Sequence, residues 1–209
     1  DCLTVAQLKE IWEPGSKIQR WSQIRQGWPN QPLRLYGAGA DSGTFDYFTE
    51  AIVGKAKAIR TDYQPTEDDN VTIKGVAGDT YAMGFLGYAY YEENKDKVKA
   101  VAIDHGKGCV LPSRETVLDG TYQPLSRPLF IYVNVKSLDR PEVQAFVDFY
   151  LSPAARRAIR STGYVELPSE AYRIGQELVK RRKAGTFFME LPAGTPLSKF
   201  IQELDKELR

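Results

Sequence analysis

The chain is poor in the residues that most often carry chemistry. Its 209 residues include one histidine, His105, and two cysteines, Cys2 and Cys109. One imidazole and two distant thiols give no metal-type spacing. The densest acidic run, Glu67-Asp68-Asp69, lacks the spacing of a calcium loop. No metal and no cofactor is therefore expected. Excess charge is missing too: 28 Lys and Arg face 27 Asp and Glu, a net charge of +1. That balance argues against a nucleic-acid partner, which would call for a broad basic surface. The one basic run, Lys180-Arg181-Arg182-Lys183, reads as a solvated helix tail that complements the helix dipole. No apolar run approaches the roughly 20 residues of a membrane span, and no signal peptide is visible. The chain opens at Asp1-Cys2 beside a helix start, with no leading strand expected; export processing would account for a removed leader.

What is present is an ordinary globular composition, 42% apolar and 11% aromatic, with length for one domain or two small ones. Cys2 and Cys109 are either two buried thiols or a bridge. A bridge across so long a loop would contribute roughly 4–5 kcal/mol in the chain-entropy model, and an exported chain would favour it.

Thr4-Val5-Ala6-Gln7 predicts a capping box, with Leu3 and Leu8 at the staple positions and Pro14-Gly15 as the stop. Pro32 to Tyr36 predicts a short strand. A helix is expected from about Gly43 to Val53, with Phe45, Phe48 and Ile52 inward and Gly54 ending it. Thr66 predicts the cap of a further helix bearing Val71 and Val76. Met83 to Tyr88 reads as a strand whose glycines admit close backbone approach, followed by a short helix from Tyr88 to Asn94. Val98 to Ile103 alternates as a strand, and Leu129 to Val135 is the strongest strand signal. Beyond it the texture is helical: Pro141 to Leu151 with Val143, Phe146, Val147 and Tyr150 inward, then Pro153 to about Gly163, Ser169 to Ala184, and an amphipathic C-terminal helix. Strands alternating with helices make the class α/β. Tyr81, Phe85, Tyr88, Tyr90 and Tyr91 read as packing rather than as a sugar platform.

The most informative stretch is Leu35-Tyr36-Gly37-Ala38-Gly39-Ala40-Asp41-Ser42-Gly43-Thr44-Phe45. A strand end passes through small residues into a helix start carrying two hydroxyls. Backbone N–H groups converging there form a nest that suits a tetrahedral oxyanion. Ser42 and Thr44 would donate hydroxyl hydrogens, Gly43 would leave room for the ion, and Asp41 would cap the helix. A nucleophilic Ser42 would need a base within reach; the sole imidazole is His105, and the Gly-x-Ser-x-Gly elbow is absent. Binding is therefore expected, without catalytic residues. A Ser42-dependent hydrolase and a non-binding interaction domain of the same fold are the alternatives.

Several segments in order resemble the phosphate-binding proteins of bacterial ABC uptake systems, in their cyanobacterial-type branch. They are Asp41-Ser42-Gly43-Thr44-Phe45-Asp46-Tyr47-Phe48, Arg60-Thr61-Asp62-Tyr63, Glu67-Asp68-Asp69-Asn70-Val71, Gly84-Phe85-Leu86-Gly87-Tyr88 and Ser126-Arg127-Pro128-Leu129-Phe130. The resemblance implies a type II periplasmic-binding-protein-like α/β fold, two lobes joined by crossover strands. Residues 1–127 would be the second lobe. Residues 128–209 would be a crossover strand and the C-terminal part of an incomplete first lobe. It implies Ser42, Gly43 and Thr44 as phosphate contacts, with Asp41 and Asp62 as possible shell. The arginine many members carry before this turn is missing among Gly37-Ala38-Gly39-Ala40, and Arg60 is the candidate replacement. It further implies a periplasmic or extracellular location, an anchor through a removed N-terminal segment, and an ABC permease as partner. A missing N-terminal segment or a second chain would complete the site.

Overall fold

The computed structural model describes residues 2–185 and 191–209; Asp1 lies outside them. The chain divides into two compact units, Asp1–Ser113 with Tyr122–Leu125, and Arg114–Thr121 with Ser126–Arg209.

The first unit begins with a strand, β1 (Cys2–Thr4), where a bare helix start is expected. Its cause is non-local: Cys2, Leu3 and Thr4 pair in parallel with Ala102, Ile103 and Asp104 of β5 (Ala102–Asp104). Only the end of the alternating 98–103 stretch finds that partner. A short β6 (Cys109–Val110) completes the sheet β1-β5-β6. Cys2 and Cys109 form a disulfide, so two of its strands are also joined covalently.

Helix α1 (Val5–Trp12) starts as its sequence predicts. Thr4 Oγ1 accepts from Gln7 N, and Gln7 Oε1 accepts from Thr4 N in return. Leu8, Ile11 and Trp12 are its buried face. Trp12 sits at the centre of the core, edge-on to Phe48, Tyr63 and Phe85 at 5.1–5.9 Å between ring centroids, an arrangement favoured by the aromatic quadrupoles.

The second sheet is all parallel, in the order β3-β2-β4, from β2 (Arg34–Ala38), β3 (Gln64–Thr66) and β4 (Ala82–Phe85). Parallel strands require crossover helices. These are α2 (Gly43–Phe48), which continues directly as a π turn over Thr49–Val53, and α3 (Asp69–Ala77). Thr49 is fully buried; its hydroxyl donates to Phe45 O at 2.9 Å and accepts from Lys57 N at 2.8 Å. Gly54, at φ +91°, ends the turn as predicted. Gly84 meets the expectation of close approach: a Cβ there would lie 3.0 Å from Thr72 Cγ2 and 3.1 Å from Tyr36 O. In α3 the buried residues are Thr72 and Ile73, while Val71 faces outward at 48% exposure. Helix α4 (Tyr88–Glu93) follows β4.

The second unit is helical: α5 (Arg114–Leu118), α6 (Pro141–Tyr150), α7 (Pro153–Ser161), α8 (Ser169–Lys180) and α9 (Leu197–Lys206). Two expectations fail in it. Residues 129–134 form no strand, and Leu129, Phe130, Ile131 and Tyr132 are exposed at 58, 42, 38 and 77%. Strand propensity reports how well a residue fits a pleated, half-buried surface, and no ladder partner is present among the described residues. On α6 only Val147 is buried; Phe146 and Tyr150, expected inward, are exposed. Glu166 is a buried carboxylate held by Arg114 and by Arg160, the latter at 2.9 Å.

Candidate anion-binding site

Three parallel strands bring their carboxyl ends to one edge of the β3-β2-β4 sheet, the edge where open α/β sheets place ligands. At the end of β2 the chain turns through Gly39, Ala40 and Asp41 into α2. Ser42, not Asp41, is the N-cap: its Oγ accepts from Thr44 N at 3.1 Å. Asp41, an exposed residue, does not take that role, while Ser42 holds the extended backbone a cap requires. Ser42 N closes the turn on Gly39 O at 3.1 Å.

This leaves a compact donor set. Gly43 N–H, the Ser42 hydroxyl hydrogen and the Thr44 hydroxyl hydrogen have no acceptor among the described residues. Gly43 is exposed, and Ser42 and Thr44 are half-buried. Those three donors at the start of eleven consecutive helical residues, Gly43 through Val53, suit an oxyanion.

The electrostatics around the turn are the opposite of what an anion wants. No lysine or arginine bonds to Asp41, Ser42, Gly43 or Thr44 among the described residues. An acid stands against it instead, and two more follow at the start of α3. Glu67, just after β3, places its carboxylate against Gly39 and accepts from Asp41 N at 3.3 Å. Asp68 caps α3, accepting from Asn70 N at 2.9 Å. Burial pushes the Asp69 carboxyl up from its ordinary value, against a lowering hydrogen bond from Gly87 N. Tyr63, whose hydroxyl donates to Ala38 O at 3.0 Å, is pushed up by burial and then by the charge of Glu67.

Arg60 stands elsewhere. It is buried, 4% exposed, in a knot of contacts with α1 and the loop after it. Nε and Nη2 grip Asp62 at 2.6 and 2.8 Å, and Nη1 donates to Ile11 O at 2.9 Å and Ile18 O at 2.8 Å. Gln19 adds a hydrogen bond to Asp62 at 3.0 Å. With these donors committed, Arg60 organises the unit, and none of its partners lies in the 41–44 turn. The same grip holds the Asp62 carboxyl well below its ordinary range, and Asp62 serves Arg60 rather than the turn.

Ser42 has no base within hydrogen-bond reach among the described residues; His105 Nδ1 is buried and unpartnered. No group of three or more His, Cys, Asp or Glu among the described residues could hold a metal ion. No described helix is long and apolar enough to cross a membrane. Sequence reasoning missed Glu67 as a neighbour of the turn. The signal that could have found it is Gly39: a Cβ at that position would lie 2.0 Å from Glu67 Oε1.

A parallel sheet with an open donor turn at its carboxyl edge is the arrangement in which open α/β folds place ligands. The family follows from a match over residues 1–154 to the PBP superfamily domain, and the chain belongs to that family. Among curated relatives it is similar to Protein SphX of Synechocystis, at 50% identity over 205 residues, covering 94% of this chain and 61% of that protein. It is also similar to the phosphate-binding protein PstS of Staphylococcus saprophyticus, at 36% identity, covering 82% of this chain and 52% of the relative. Among solved structures it resembles a possible phosphate binding protein from Planctomyces limnophilus, with TM-score 0.73 and 44% identity, covering 88% of this chain and 65% of that one. The chain thus spans between half and two thirds of the length of these relatives.

Proposed function

We propose that this chain is the anion-holding part of a solute-binding protein that captures inorganic phosphate for an ABC importer. The observation that carries the reading is the free donor set of Ser42, Gly43 and Thr44 at the carboxyl edge of a parallel sheet. The names of the relatives, phosphate-binding protein among them, agree with it. The unit of Asp1–Ser113 with Tyr122–Leu125 acts as the anion-nest lobe, and the unit of Arg114–Thr121 with Ser126–Arg209 belongs to the other lobe. Function is capture and release, with no bond made or broken. The Cys2–Cys109 disulfide fits an oxidising, extracytoplasmic setting.

The site is half of a complete shell. An oxyanion needs a cation or further donors to offset its desolvation, and here the charged group shown against the turn is the Glu67 carboxylate. A second contributor, either a segment corresponding to the part of the relatives outside this chain or a second polypeptide, supplies the rest. Residues 129–132 agree with such a contributor, since a strand-forming sequence there is exposed and forms no strand.

Calorimetric titration of phosphate into the 209-residue chain tests the reading. Binding is expected to be weak, and Ser42→Ala with Thr44→Ala should weaken it about a hundredfold or more further, the loss of two hydroxyl donors to a charged acceptor at about 1.5–3 kcal/mol each. Tight, stoichiometric binding by the chain alone would contradict the half-site; binding unaffected by the two substitutions would remove the turn from it.

A further inference from the structure

Glu67 belongs to the residues that follow β3, yet its carboxylate reaches across to the turn that follows β2. Parallel pairing sets Ala38 opposite Thr66, so Gly39 and Glu67 emerge side by side at the same edge. Gly39 N donates to Thr66 O at 3.0 Å, which fixes the two exits together. Gly39 carries no side chain, and the space its Cβ would fill holds Glu67 Oε1. The same oxygen accepts the Asp41 N–H, the amide two residues before Gly43.

The geometry points to Glu67 as a tethered carboxylate that competes with the bound anion and sets the affinity of the turn. It rests on the phosphate reading above. A carboxylate offers two oxygens and a negative charge, the same chemistry an incoming oxyanion presents to backbone amides. While Glu67 holds the Asp41 amide, that donor is unavailable to the ion, and a fixed negative charge stands a few ångströms from where the ion must sit. Both effects loosen binding. A residue that merely anchored the turn would have the opposite influence, because its removal would free Asp41 and disorder the donors. The sign of the effect therefore separates the two roles.

The test uses inorganic phosphate and the full chain, titrated by calorimetry and by amide NMR. Glu67→Gln and Glu67→Ala are expected to bind phosphate about threefold to tenfold more tightly, the range set by removing one nearby charge at a surface site. Glu67→Ala should also become sensitive to acetate, which can occupy the vacated position and displace phosphate at lower concentration than in the unaltered chain. Equal or weaker phosphate binding in both variants, with melting temperature and amide dispersion unchanged, would overturn the proposal and leave Glu67 as a tether. If the variants lose folded structure, acetate competition in the unaltered chain decides instead. Acetate should then be a poor competitor, because Glu67 already fills its place; strong competition would refute the idea. Ser42→Ala separates this failure from failure of the phosphate reading. Binding lost in Ser42→Ala but indifferent to Glu67 defeats only the present proposal. Absence of a Ser42-dependent phosphate response in every variant defeats both.

Discussion

Replacing Arg60 separates a structural arginine from a ligand arginine. Its side chain is 4% exposed, whereas Asp62 is 52% exposed, so half of the ion pair is wet and half of the arginine's work is done on buried carbonyls. Arg60→Ala removes charged donors from Ile11 O and Ile18 O and leaves both carbonyls short of a partner. Hydrogen bonds to charged groups contribute about 1.5–3 kcal/mol each, and the wet Asp62 pair about 1 kcal/mol or less. Allowing for water reaching the emptied space, the expected loss is about 3–4 kcal/mol. Arg60→Lys keeps the charge but cannot fork between Asp62 and two carbonyls, and about 2 kcal/mol should go. The assay is urea unfolding followed by tryptophan fluorescence. Trp12, Trp21 and Trp28 all lie in the first unit, so the signal reports that unit alone. Phosphate affinity, measured under conditions where the variant is folded, should change less than threefold. If Arg60→Lys unfolds within about 0.5 kcal/mol of the unaltered chain yet loses phosphate binding, Arg60 is a ligand and the structural reasoning is wrong.

Other consequences follow from the same geometry. Reducing the Cys2–Cys109 bridge, whose partners are 107 residues apart, should cost up to about 5 kcal/mol in the chain-entropy model; equal urea midpoints with and without reductant would contradict this. Glu166 has its carboxyl pulled down from its ordinary value to about 2, first by Arg114 and then with Arg160. Its contribution is therefore complete above the ordinary carboxylate range and is lost as pH falls toward 2. Because both arginines are about half exposed, the expected size is about 1–2 kcal/mol. Glu166→Gln should flatten that part of the stability profile of the second unit, as read by circular dichroism. Gly37→Ala should cost about 1–3 kcal/mol, because its Cβ would lie 2.3 Å from Phe85 Cε1 in a ring stacked on Phe48; an unchanged midpoint would show that the ring yields freely.

Local signals were readable where the physics is local. The Thr4–Gln7 box, the Gly54 stop and the helix from Gly43 each depend on residues within one or two turns, and the structure shows them in place. The donor turn was legible for the same reason, although the capping role fell to Ser42. What the sequence hid depends on distant pairing. Cys2–Thr4 becomes a strand only because β5 lies beside it. Glu67 meets Gly39 only because β2 and β3 are parallel and in register. Arg60 turns inward because Ile11 and Ile18 offer carbonyls more than forty positions away. Leu129 to Val135 shows the converse, a strong strand pattern that forms no strand for want of a ladder, its last residue opening a 3-10 turn over Val135–Asp139.

The central claim is that phosphate meets the chain at the turn between β2 and α2. Amide NMR of the 15N-labelled chain during a phosphate titration tests it most directly. The account predicts saturable shifts centred on Ser42, Gly43 and Thr44, abolished by Ser42→Ala. Saturable shifts that leave these amides still and cluster elsewhere would contradict it.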